Sequence, residues 1–338
     1  MKYLCSNNLI PLPPSQNYMK ISVAFIVYNG SNYMQQQLDS ILNQTLKVDE
    51  IIVCEDNSSD NTKEILESYS QANPALFTIL HNEQNLGSNK NAEKAIQHCT
   101  GDIVFLSDHD DEWLPNKVER TMAYFRENPH INGVFSNGFL MNEDSIVDSK
   151  NALWDSMSFP FEKLKNDPAL LREYIHTNEN CATGAAMAFR RNLLFLSKPF
   201  PSIKFLIHDR WIAFNLSNDN SLGYIEDKLI KYRLHPKQET GGKKAKMQKY
   251  LQMNWDLLNN NIQVQNFTDM KYILNRIEIN MHVQYQLAKF TDKLYDNSEW
   301  IKLLEKKHQL YIKYAFKHFP LMTLLRSIKK IFSPTFSR

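Results

Sequence analysis

The stretch Ile103-Val104-Phe105-Leu106-Ser107-Asp108-His109-Asp110-Asp111 decides the reading of this chain. The four leading residues form a short apolar run, the signature of a strand buried on both faces. Three carboxylates follow at its carboxyl end. Like charges this close repel and raise one another's pKa. A divalent cation relieves the crowding, and hard cations such as Mg²⁺ prefer carboxylate oxygen. In open α/β sheets, ligands bind outside the carboxyl ends of the strands. The cluster therefore points to a metal that meets a phosphate. The structural alternative is a solvated acidic turn that favours the dipole of the helix opened by Pro115.

Upstream, the same punctuation repeats. Ile21 to Val27 reads as a core strand, and Tyr28-Asn29-Gly30 turns the chain. Ser31 can cap a helix whose apolar face is Met34, Leu38, Ile41 and Leu42. Ile51 to Cys54 is a second strand, followed by the polar loop Glu55 to Asp60 and a helix through Tyr69. Leu76 to Leu80 is a third strand. Asn85-Leu86-Gly87-Ser88 then enters a helix with Ala92, Ala95, Ile96 and Cys99 on one face. This alternation predicts an α/β fold built on a mostly parallel, doubly wound, Rossmann-like sheet. Past Pro115, whose helix runs through Phe125, the pattern is mixed. Gly133 to Met141, Ala185 to Phe189 and Tyr224 to Tyr232 read as strands, and His208 to Leu216 as a helix. Beyond about Lys243 the chain reads as a helical C-terminal extension.

With 338 residues, 43% of them hydrophobic and 22% charged, the chain suits an ordinary globular protein of one large or two ordinary domains. A net charge of +2 gives no mandate for nucleic acid. Cys5, Cys54, Cys99 and Cys181 form no CxxC pair, so they read as free thiols in a reducing compartment. Residues 1–18 lack the apolar core of a signal peptide. No apolar run approaches the ~18 residues of a spanning helix. The expected location is the cytoplasm.

The tail is one-sided in charge. No Asp or Glu follows Glu305, while seven Lys and Arg residues lie between Lys306 and Lys330. Leu321, Leu324, Leu325, Ile328 and Phe332 recur at helical spacing, with Arg326, Lys329 and Lys330 largely opposite. Two readings stand: a helix lying on an anionic membrane surface at the inner face of the cell membrane, or a packed terminal helix with a solvated basic face.

Four polar constellations carry candidate chemistry, and each has a structural alternative. Asp56 can accept hydrogen bonds from a base or ribose, or close an Asx turn; Asp60 reads as a helix cap. Asp108, Asp110 and Asp111 are the metal candidates, with Asp108 and Asp110 leaning differently from Asp111. In His208-Asp209-Arg210-Trp211, an Asp between His and Arg suits a general base, or an N-cap with a surface ion pair. Tyr232-Arg233-Leu234-His235 offers an imidazole for a metal. Gly241-Gly242-Lys243-Lys244 offers cations for a diphosphate.

In this order, the segments resemble the inverting family-2 glycosyltransferases of the GT-A fold. The resemblance covers about residues 19–245. It rests on Tyr28-Asn29-Gly30, Gln37 to Thr45, Glu55 to Thr62, Asn85-Leu86-Gly87 and Gly101-Asp102. Ser107 to Pro115, Thr183-Gly184, His208 to Trp211 and Tyr232 to His235 complete it. It looks most like the transferases of bacterial surface polysaccharides, such as rhamnosyltransferases.

The resemblance implies a domain plan: an N-terminal extension over 1–18, a catalytic domain over 19–245, and a basic helical region over 246–338. The catalytic domain divides into a nucleotide-binding half (19–115) and an acceptor half (116–245). It also implies roles. Tyr28, Asn29, Asp56, Asn85, Asp108, Trp113 and Arg233 would hold the nucleotide-sugar. Asp110, with Asp108 and His235, would bind Mn²⁺ or Mg²⁺. Asp209 would be the general base, and Thr183, Gly184 and Trp211 would face the acceptor. The implied activity is metal-dependent, inverting transfer of a sugar from a UDP- or dTDP-sugar to a glycan or lipid-linked glycan. Its setting would be the synthesis of O-antigen, capsule or lipooligosaccharide.

Three positions depart from the family pattern. Glu55 stands where the second loop usually has a shorter Asp and keeps the acidic pair with Asp56. Asn57 stands where the second loop usually has Gly, and Asn tolerates the positive φ such a turn needs. Pro236 follows His235 where Gly is usual and stiffens that loop. The rival readings are a sugar-phosphate nucleotidyltransferase and a non-catalytic carbohydrate-binding scaffold. The first would need a Gly-rich, Arg-containing loop after strand one, where this chain has only Gly30.

Overall fold

A computed structural model describes residues 18–165, 167–178, 180–236, 238, 253, 256, 257, 259, 260, 264, 266–290 and 297–331. Cys5 and Gly241 to Lys244 lie outside these, as does nearly all of the N-terminal extension.

The first half alternates strand and helix as its apolar runs predict: β1 (Ile21–Val27), α1 (Met34–Leu42), β2 (Glu50–Glu55), α2 (Thr62–Ala72), β3 (Phe77–His81), α3 (Ser88–His98) and β4 (Ile103–Asp108). These four strands are parallel and ordered β3-β2-β1-β4. All seven residues of β1 are buried, so the strand carries no polar alternation. Ala92 and Ala95 of α3 are fully buried, and their small side chains let the helix sit close on β1 and β2.

The second half adds β5 (Glu112–Trp113), α4 (Lys117–Glu127), β6 (Gly133–Asn142) and β7 (Val147–Ala152). Short helices follow: α5 (Leu153–Ser156), α6 (Phe161–Leu164) and α7 (Pro168–Thr177). Then come β8 (Met187–Arg190), α8 (His208–Asn218) and β9 (Leu222–Leu234). β8 runs antiparallel between β4 and β6, and β6 pairs in parallel with β9. The result is one mixed sheet in the order β3-β2-β1-β4-β8-β6-β9-β5, with β7 on the outer edge of β6. The strand expected over Ala185 to Phe189 divides: Gly184–Ala186 forms a 3-10 turn before β8.

Three helices close the described chain: α9 (Phe267–Phe290), α10 (Ser298–His318) and α11 (Pro320–Ile331). The first two form a second apolar core, in which Ile273, Leu274 and Ile277 meet Leu304, Tyr311 and Ala315. Val283 and Leu287 of α9 belong to the main core, so this helix ties the two together. Among the described residues no helix is long and apolar enough to cross a membrane. Cys54, Cys99 and Cys181 are free and buried.

Candidate active site

The strand order 3-2-1-4 reverses its direction of winding between β1 and β4, and a crevice opens outside their carboxyl ends. A cavity of about 1080 Å³ occupies it. Of the predicted donor-side residues, Tyr28, Asn29, Asp56, Asn85 and Asp108 line this cavity. So do Asp110, His235, Thr183 and Asp209.

The donor-side wall is braced by backbone hydrogen bonds. Asn57 takes φ 58° and Asn29 takes φ 49°, so both turns use Asn in the left-handed region. Asn29 N–H donates to Ser58 Oγ at 2.9 Å, Gly30 N–H to Thr62 Oγ1 at 2.8 Å and Ser31 N–H to Asp60 Oδ2 at 3.1 Å. Gly30 is required by packing: a Cβ there would meet Val27 Cγ2 at 2.5 Å and His109 Cδ2 at 2.8 Å. The Asp56 carboxylate accepts from Leu86 N–H at 2.8 Å, Gly87 N–H at 2.9 Å and Asn82 Nδ2 at 2.7 Å. It thereby fixes the Asn85 loop against the cavity. Glu55, the other departure from a plain acidic pair, turns away and is fully buried against Ser58 and His81.

The three acids after β4 separate as their alternation predicts. Asp108 and Asp110 line the cavity, whereas Asp111 is buried and accepts from the Arg233 backbone N–H at 2.9 Å. Burial, then the charges of Asp110 and Asp108, push the Asp111 carboxyl up. Lys117 lies fully buried nearby; burial pulls its ammonium down to about 7, against the pull of Asp111 and Asp108. His235 Nε2 meets Asp110 Oδ2 at 2.9 Å. Burial opposes ionisation of Asp110, but the His235 hydrogen bond and the adjacent His109 outweigh it and lower its pKa.

Among the described residues no cluster of three or more groups forms a complete metal site. Asp110 and His235 meet at 2.9 Å and Asp108 lines the same cavity, and carboxylate and imidazole donors have the right chemistry for Mn²⁺ or Mg²⁺. Mg²⁺ is commonly held by one or two carboxylates, with substrate phosphates completing its shell. The set fits a cation that arrives with a diphosphate.

Asp209 opens α8 on the facing wall. Its Oδ2 accepts from Gly184 N–H at 2.9 Å, and its Oδ1 accepts from Arg210 N–H. Burial raises its pKa; His208, the Gly184 N–H and Arg210 partly offset this. Gly184 cannot carry a side chain here without crowding, since a Cβ would lie 3.0 Å from His208 Nε2. The Arg210 guanidinium donates to Phe205 O at 3.3 Å, to Asn178 O at 3.1 Å and to Asn280 Oδ1 on α9. The C-terminal helices thus reach the residue beside Asp209.

Four predicted site residues are not among those lining the cavity: Gly184, which acts through its N–H on Asp209, and three with large side chains. Arg233 is 1% exposed, and its guanidinium is spent on Asp110 O, Asn142 O, Ser145 Oγ and Gln36 Oε1, with Tyr33 stacked at 4.3 Å. It staples helix α1, the loop after β4 and the turn after β6 rather than reaching for phosphate. Trp113 is buried beneath the sheet, 5.6 Å from Phe105 and under the Lys117 ammonium, and borders a separate cleft. Trp211 is buried on the inner face of α8 against Phe195. In the other direction, Tyr232 and His208 line the cavity without having been given roles. Burial and the charges of Asp111, Asp108, Asp110 and Asp209 push the Tyr232 phenol far up, so it sits protonated between the two acidic walls. A tyrosine at the carboxyl end of a strand, three residues before His235, was the available signal.

The model of glycosyl transferase family 2 matches residues 22–195. The chain belongs to glycosyl transferase family 2. Among its relatives, the Escherichia coli UDP-Glc:alpha-D-GlcNAc-diphosphoundecaprenol beta-1,3-glucosyltransferase WfgD is 26% identical over 261 residues, covering 77% of this chain and 92% of that protein. An uncharacterized glycosyltransferase of Nostoc is 25% identical, covering 83% and 84%. Two solved structures share the GT-A fold. The mannosyltransferase PcManGT of Pyrobaculum calidifontis, in complex with GDP-Man and Mn²⁺, has a TM-score of 0.52 at 15% identity, over 95% of this chain and 83% of that one. Staphylococcus aureus TarS 1-349, in complex with UDP-GlcNAc, has a TM-score of 0.51 at 17% identity, over 87% and 82%. Family 2 membership makes the protein a glycosyltransferase and leaves the nucleotidyltransferase and scaffold readings without support.

Proposed function

We propose that this glycosyltransferase moves a sugar from a UDP- or dTDP-sugar to a hydroxyl of a growing, lipid-linked glycan, with inversion, in the synthesis of a bacterial surface polysaccharide. One observation carries the reading. A buried carboxylate, Asp209, faces the same cavity as the acidic pair Asp108 and Asp110 and the braced turns at Tyr28 and Asp56. The lipid-linked acceptor is suggested by the diphosphoundecaprenol-linked substrate in the name of WfgD. An acceptor of that kind sets the work at a membrane surface, in keeping with contact through residues 319–332.

Tyr28 offers a half-exposed ring for the base, and the Asp56-braced loop limits its pocket. Asp108 would contact the ribose. Asp110, Asp108 and His235 would hold Mn²⁺ or Mg²⁺, which supplies charge neutralisation for the diphosphate. Asp209 takes the proton of the acceptor hydroxyl as its oxygen bonds to the anomeric carbon. The bond from that carbon to the diphosphate oxygen breaks on the opposite face, and the configuration inverts. The hydrogen bonds to Gly184 and Arg210 orient the Asp209 carboxylate, and Thr183 lines the acceptor side.

The test is a thermal-shift screen with UDP-, dTDP- and GDP-sugars in Mn²⁺, followed by nucleoside diphosphate release on the donor that binds. Stabilisation by a UDP- or dTDP-sugar, with release that chelation abolishes, is expected. No shift with any donor would contradict the reading.

A further inference from the structure

The terminal helix α11 is turned inside out relative to an ordinary packed amphipathic helix. Among its described side chains, the polar Thr323 and Arg326 face the protein. Thr323 is fully buried and donates its hydroxyl to Ala315 O at 3.1 Å and Phe319 O at 2.8 Å. Arg326, three residues on, donates to Asn275 Oδ1 at 2.9 Å and pairs with Glu278 at 2.8 Å. That pair is largely withdrawn from water, with side-chain exposures of 9% and 12%. Three of its apolar residues face outward: Leu321 is 67% exposed, Leu324 50% and Met322 48%. On α10, just before it, Phe316 is 44% exposed, beside exposed Lys313 and Lys317.

A terminal helix that only completes the fold would place its leucines on the second core, because burial of apolar surface is what holds such a helix down. Here a largely buried ion pair and a buried threonine hold it with Leu321 and Leu324 outward. We propose that α11 and the end of α10 form a docking surface for an anionic lipid bilayer. The charge of the region selects that occupant. No Asp or Glu follows Glu305 in the sequence, and the exposed Lys313 and Lys317 lie beside the apolar residues, while Glu278 is taken up by Arg326 and His308. Apolar insertion combined with basic flanks is the interfacial pattern of helices that lie in the headgroup plane. The proposal deepens the lipid-linked acceptor reading and rests on it only for its purpose, since binding is read without turnover.

The test floats the full chain with phosphatidylcholine vesicles and with vesicles that also contain phosphatidylglycerol. Recovery on the anionic vesicles is expected to be about tenfold higher and to fall at high salt. Leu321→Ser combined with Leu324→Ser should lower it about tenfold, with thermal melting and the donor-induced shift unchanged. Equal flotation of variant and parent would overturn the proposal. So would a concentration-dependent dimer in sedimentation that the double variant dissolves, which would make the face a contact between copies. Loss of the donor-induced shift with flotation intact would strike the reaction reading and leave the docking surface standing.

Discussion

The backbone N–H of Gly184 donates to Asp209 Oδ2 at 2.9 Å, linking the turn before β8 to the first residues of α8. This bond sets the direction of the carboxylate across the cavity. A Cβ on residue 184 would lie 3.0 Å from His208 Nε2 and 3.5 Å from Asp209 Cβ, so either the turn or the helix must give. Gly184→Ala is expected to lower kcat roughly tenfold, since small displacements of a reacting group are costly. Steady-state transfer kinetics check this, with an unchanged donor-induced thermal shift as the control.

Burial raises the Asp209 pKa, and a general base works only when deprotonated. The acid limb of kcat/KM should therefore lie above the ordinary carboxylate range, with activity falling as pH drops through it. Arg210 holds that pKa down, and Asn280 of α9 helps hold Arg210. Asn280→Ala is expected to move the acid limb to higher pH, read from pH–rate profiles of both proteins.

Asp56 spends its carboxylate on Asn82, Leu86 and Gly87. Asp56→Ala frees the loop and is expected to weaken donor binding about tenfold or more, with each lost bond to the charged group contributing. Calorimetric titration with the nucleotide-sugar measures it.

Arg233 separates two accounts of a cation in a motif. A phosphate ligand would show in donor affinity; a staple would show in stability. Its guanidinium bonds to residues 36, 110, 142 and 145 predict the second. Arg233→Met should cost roughly 2–4 kcal/mol in denaturant unfolding, since hydrogen bonds to charged groups are worth about 1.5–3 kcal/mol each.

The Arg233 case shows where sequence reading stops. An arginine next to a candidate metal ligand looks the same whether its guanidinium points at phosphate or at backbone carbonyls; only the placement of Asn142 and Ser145 decides. Trp113 misled for a similar reason, because β5 turns its ring under the sheet. By contrast, β1, β2 and β4 were legible from apolar runs, since strands buried on both faces leave no polar alternation. Asn57 was legible too: a residue replacing Gly in a tight turn had to accept positive φ, and it does at 58°. β7 was missed because an edge strand reading Val-Asp-Ser-Lys-Asn-Ala carries no apolar period. The orientation of α11 could not be read, because helical spacing identifies an apolar face but not which side meets the protein.

The central claim is that Asp209 is the base for sugar transfer within the cavity it shares with Asp108 and Asp110. The direct measurement is the single-turnover transfer rate of Asp209→Asn against the parent, at saturating donor and acceptor. The account predicts a loss of about 10²- to 10⁴-fold, with donor binding retained. A variant that transfers within a few-fold of the parent would contradict it.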